Sequence, residues 1–118
     1  MTVNILGTEY RISVVKYDDD RYMKDNSFSG YCSNVLKEIV VADASTLPGC
    51  KDETKEWCRI VQRQTLRHEI VHAFLNESGL EASSLQYSGG WAKNEEMVDW
   101  IANQGPKIYA AWQEADAL

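Results

Sequence analysis

Three features of the sequence predict an α+β fold. β-branched segments with two-residue alternation occupy the first third, a 3.6-residue apolar period starts near residue 53, and a second helical segment closes the chain. The expected architecture is a small N-terminal antiparallel or mixed β-sheet packed on one long helix, followed by a second helix that is kinked or split. The 118 residues suit a single domain spanning 1–118 and are enough to enclose one hydrophobic core.

The elements follow in order. Val3–Leu6 is a short apolar strand, and Gly7-Thr8 the turn after it. A second strand, Tyr10–Tyr17, alternates Tyr10, Ile12 and Val14 before Asp18-Asp19-Asp20 breaks it as a solvated hairpin tip or loop. Those aspartates lack the glycine and closing glutamate of a calcium loop. Ser27–Ser33 is a candidate third strand, carrying Phe28 and Tyr31. Lys37–Ala42 is a stronger one, and Asp43–Cys50 is a loop around Leu47-Pro48-Gly49.

Residues 53–78 read as one long helix, with Asp52 as N-cap, Glu53 and Glu56 near its positive end, and Gly79 as its stop. Its apolar positions are Trp57, Ile60, Val61, Val71, Phe74 and Leu75. Leu80–Lys93 reads as loop with Gly89-Gly90 as a joint. A second helix runs from about Asn94, broken or bent by Gly105-Pro106 and packed through Trp91, Trp100 and Trp112.

Charge narrows the partners. Twelve Lys and Arg against 18 Asp and Glu leave a net −6, the wrong sign for phosphate backbones or an anionic membrane surface. No apolar run approaches the roughly 20 residues of a spanning helix, and the N-terminus has neither the basic region nor the apolar stretch of a secretory signal. Cys32, Cys50 and Cys58 form no C-x-x-C pair and are odd in number. Free thiols in a reducing cytoplasm are expected, with a Cys50–Cys58 bridge as the lesser alternative.

The chemistry concentrates in His68-Glu69-Ile70-Val71-His72, an H-E-x-x-H sequence that uses both histidines of the chain. Helical residues four apart differ by about 40° around the axis, so the two imidazoles share a face and can clasp a divalent metal. On that wheel they share an arc with Trp57, Val61 and Leu75, directed at the core. Glu69 is turned by about 100°, which suits a base acting on water beside the metal. Catalytic zinc takes a third protein ligand and keeps a fourth position open. Asn94-Glu95-Glu96-Met97-Val98-Asp99 offers one: Glu95 as ligand, with Asp99 accepting a hydrogen bond from the outer nitrogen of a ligand histidine. Glu96, about 100° round the helix, is the weaker candidate.

H-E-x-x-H followed by N-E-x-x-x-D resembles the gluzincin pattern of thermolysin-like metallopeptidases. The stretch Gln64–Ala73 is also similar to small zinc-peptidase-like proteins of bacterial and phage genomes. The resemblance implies a minimal zincin-like domain in which His68, His72 and Glu95 hold Zn2+, Glu69 is the general base, and Asp99 orients His68. It also implies peptide-bond hydrolysis of a peptide or protein substrate, held as an added strand beside the metal helix; Lys37–Ala42 is the candidate edge or, equally, an ordinary core strand. Thermolysin-like enzymes add a histidine and a tyrosine that steady the oxyanion. No histidine is left here, and Tyr87 is the available tyrosine. Two alternatives stay open: a non-catalytic protein whose metal joins two helices, and zinc-assisted hydrolysis of a non-peptide bond.

Overall fold

Thr2–Ile5 (β1) and Thr8–Val15 (β2) form an antiparallel hairpin in which Ile5 faces Thr8. Leu6-Gly7 makes the turn, one residue earlier than expected. Both residues have positive φ, 51° and 92°, as a two-residue turn matched to strand twist requires, and the Asn4 side chain accepts the Gly7 N–H at 2.9 Å. The computed structural model describes residues 1–83, 91–116 and 118.

The aspartate run starts a helix rather than capping a hairpin. After a 3-10 turn at Tyr17–Asp19, Asp20 accepts the Met23 N–H and caps Arg21–Asn26 (α1). Gly30–Ser33 (β3) and Glu38–Ala42 (β4) complete a sheet of order β1-β2-β4-β3. β4 runs parallel to β2, with Ile12 beside Ile39, and antiparallel to β3, with Gly30 opposite Val41.

Of the two readings of Lys37–Ala42, the structure shows the core strand and corrects the edge: β4 is interior, and β3 lies at an edge of the sheet among the described residues. Alternation explains why. Ile39 and Val41 pack with Ile5, Tyr10 and Ala73 on one face, while Val40 and Ala42 pack with Met23 on the other. A strand covered on both faces needs an unbroken apolar run. Lys37 lies outside the strand, at φ 52° in the turn that precedes it.

Lys55–Glu77 (α2) crosses the sheet. Its N-cap is Thr54, which accepts the Trp57 N–H at 3.1 Å, instead of Asp52; Gly79, at φ 79°, follows its end as expected. Leu66, Ile70 and Ala73 press on the sheet. Trp57, Ile60 and Phe74, expected as core, are exposed, because the sheet covers only one face of the helix.

Leu80–Ser83 (α3) is a short helix and Trp91–Lys93 a 3-10 turn within the expected loop. Tyr87 and Gly89-Gly90 lie outside the described residues. Glu95–Glu114 (α4) docks on α2 through Val98 and Ala102, with Ala92, Leu75 and Val71 in the same layer. Trp91, Trp100 and Trp112 are more than half exposed, so aliphatic side chains and not these tryptophans form this contact.

Nor does Gly105-Pro106 split α4. Proline lacks the N–H that would bond the Ala102 carbonyl four residues back. Arg67 of α2 supplies the missing donor, its Nε–H reaching that oxygen at 2.9 Å. A buried carbonyl left unpaired would cost about 1–3 kcal/mol. All three cysteines are free, which excludes the Cys50–Cys58 bridge from this structure. No helix of the described residues is long and apolar enough to cross a membrane.

Candidate metal centre

Two helices and one strand build the site. α2 carries His68, Glu69 and His72 one turn apart or adjacent, and α4 brings Glu95 and Asp99 from the opposite side. Asn94 caps α4 by accepting the Met97 N–H at 2.8 Å, so the helix begins at the residue that meets the histidines. β3 forms the third wall. Gly30 lets it close on α2: a Cβ there would stand 2.8 Å from Thr65 Cγ2 and 3.1 Å from the Val40 carbonyl oxygen.

The donor atoms converge. His68 Nε2 and His72 Nε2 are 3.1 Å apart. Glu95 closes the triangle, with Oε2 at 3.0 Å from His68 Nε2 and Oε1 at 3.3 Å from His72 Nε2. A tetrahedral site with bonds of about 2.0–2.1 Å needs donors about 3.3–3.4 Å apart. The 3.3 Å separation meets that requirement, and the 3.0 and 3.1 Å separations fall a few tenths of an ångström inside it. Asp99 Oδ1 lies 2.6 Å from His68 Nδ1, on the outer side of the ring. An ionised carboxylate there accepts the Nδ1 proton, which leaves the Nε2 lone pair facing inward.

Glu69 joins the two histidines in a group whose potential ligand atoms all lie within 4.8 Å of one another. Its neighbourhood differs from theirs. The side chain lies in the sheet-facing stripe of α2 between Leu66 and Ala73, and the residue is only 6% exposed, whereas the histidine side chains remain about one-fifth exposed. The expectation that the histidines point into the core is corrected by one helical step: Glu69 takes the buried position, and the imidazoles face α4. Burial pushes the Glu69 carboxyl up to about 7; the His68 charge opposes this, and Glu95 and Asp99 add to it.

No family model, curated protein or solved structure matches the chain. What the site can do follows from its own donors and openings.

Open clefts of about 260 and 420 Å³ flank the centre, and both are lined by Phe28, Gly30, His68 and Glu69. The first continues past Cys32 and Asn76, the second past Asp99 and Asn103. The Cys32 thiol is raised to about 12, chiefly by burial and then by the Glu69 charge, so it stays a neutral wall. Glu96 turns away, lining a separate depression with Met97 and Trp100. Sequence reasoning missed Gly30 and Arg67. A glycine opening an otherwise bulky strand and a proline inside a helix were their available signals.

Proposed function

We propose that this chain is a zinc-dependent peptidase. The observation that carries the reading is the triangle of His68 Nε2, His72 Nε2 and the Glu95 carboxylate, with Glu69 buried beside it. His68, His72 and Glu95 would hold the ion. When bound, zinc supplies Lewis acidity that polarises a carbonyl and makes water a nucleophile near neutral pH.

The chain's own groups do the rest. Asp99 keeps His68 in the tautomer whose Nε2 lone pair points inward. A Glu69 carboxylate oxygen takes a proton from the attacking water and returns it to the leaving amine nitrogen. Clefts on both sides of the centre favour catalysis over a closed structural metal, because an extended chain can lie across the site. β3 is the strand suited to hold it. The Ala42 N–H bonds the Ser29 carbonyl at 2.8 Å, so alternation along the antiparallel ladder turns the backbone groups of Gly30 and Cys32 away from β4. An added peptide strand would pair there.

The test is zinc content by elemental analysis together with cleavage of a mixed peptide library followed by mass spectrometry. Wild type is expected to hold about one zinc per chain and to cleave. Glu69→Gln is expected to keep the metal and lose cleavage by about 100-fold or more. A wild-type protein that takes up no zinc, or undiminished turnover in Glu69→Gln, overturns the reading.

A further inference from the structure

We propose that Arg67 is a positioning residue, setting the height of α4 on α2 so that Asp99 and Glu95 meet the histidines. Beside the contacts of Glu95 with the two histidines, two further rungs join the helices. Arg67 Nε–H bonds the Ala102 carbonyl at 2.9 Å, and His68 Nδ1 meets Asp99 at 2.6 Å. Arg67 and His68 are neighbours on α2, while Asp99 and Ala102 lie one turn apart on α4.

Pro106 makes the first rung selective. The Ala102 carbonyl is the one in α4 whose intrahelical donor proline has removed, so it offers the guanidinium an acceptor at a single height. The apolar part of the contact, Val98 with Leu75, Val71, Ala92 and Met97, is non-directional, so the polar rungs define the height most sharply. A slip of one residue moves α4 by about 1.5 Å and 100°, which separates Arg67 from its acceptor and Asp99 from His68 together.

The inference rests on the zinc reading only for its affinity readout, since the His68–Asp99 contact stands without metal. The experiment compares wild type, Arg67→Ala, Arg67→Lys, Pro106→Ala and the Arg67→Ala/Pro106→Ala double variant. Three quantities are read: thermal stability, the downfield Nδ1–H proton resonance of His68 in metal-free protein, and zinc affinity by competition with a chromophoric chelator.

Arg67→Ala is expected to lose the protected resonance and to weaken zinc about ten-fold or more. In the double variant the new residue-106 N–H bonds the Ala102 carbonyl, so stability returns while resonance and affinity do not. Arg67→Lys, which keeps the charge but not the aimed Nε–H, is expected to fall between wild type and Arg67→Ala. If Arg67→Ala does not fold, the double and lysine variants carry the same comparison. Full recovery of resonance and affinity in the double variant, or wild-type values for both in Arg67→Ala, overturns the proposal. Absence of zinc binding in wild type would sink the peptidase reading instead, and the resonance alone would then decide the role of Arg67.

Discussion

Asp99 Oδ1 lies 2.6 Å from His68 Nδ1, on the side of the ring opposite the nitrogen that faces His72 and Glu95. The carboxylate therefore acts on the candidate centre through the ring. Asp99→Asn replaces a charged acceptor with an amide that can also present a donor, so the proton no longer has one preferred nitrogen. Zinc affinity is expected to fall about 10- to 100-fold with the fold retained. Chelator competition and circular dichroism on the same samples check both halves.

Glu95 and Glu96 are adjacent in sequence but differ by about 100° around α4. Only Glu95 meets both histidines, at 3.0 and 3.3 Å. Glu95→Ala is expected to weaken zinc by far more than Glu96→Ala, which should stay near wild type. Titration of both variants with zinc gives the order, and a reversed order would show that the wrong carboxylate has been assigned.

The layout of strands, long helix and second helix was legible because burial on one face imposes a period, and period is written in the residues. Helical spacing put Glu95 and Asp99 on one face of α4 and offered Glu95 as a third ligand; that Asp99 partners His68 was what the gluzincin resemblance implied. Less legible was anything decided by where elements meet. β4 reads as a good strand whether central or outer; only its unbroken run Ile39-Val40-Val41-Ala42 hinted that both faces are covered. Glu69 is buried because the sheet covers that arc of α2, which no property of α2 alone reveals. α1 was hidden because six residues carry too little periodicity, and its cap, Asp20, looked like part of a solvated charge run. Pro106 read as a break because its compensating donor lies 39 positions earlier, at Arg67.

Gly30 marks a close approach of β3 to α2. Gly30→Ala would place a methyl 2.8 Å from Thr65 Cγ2 and 3.1 Å from the Val40 carbonyl oxygen, so strand or helix must move. Overpacking of this kind costs about 1–3 kcal/mol. Removing the opposing methyl with Thr65→Ser in the same chain should recover part of that loss. Denaturation midpoints of wild type, Gly30→Ala and the double variant measure it; an unchanged midpoint in Gly30→Ala would mean that the contact is not tight in solution.

Glu77, at the end of α2, gathers the two hairpins. It accepts hydrogen bonds from Thr8 Oγ1 at 3.0 Å and Tyr10 Oη at 2.8 Å, and pairs with Lys37 Nζ. The Lys37 bond, followed by that of Tyr10, holds the Glu77 carboxyl below its ordinary range. A carboxyl whose folded pKa lies below its unfolded one contributes stability above the unfolded value, near pH 4.3, and loses that contribution as pH falls through the folded value. Glu77→Gln is thus expected to be less stable than wild type at neutral pH, with the gap narrowing once the wild-type carboxyl is protonated. Thermal melts of both proteins from pH 7 down to about 3 test this. A gap that stays constant over the range would mean that Glu77 contributes shape and hydrogen bonds but no charge.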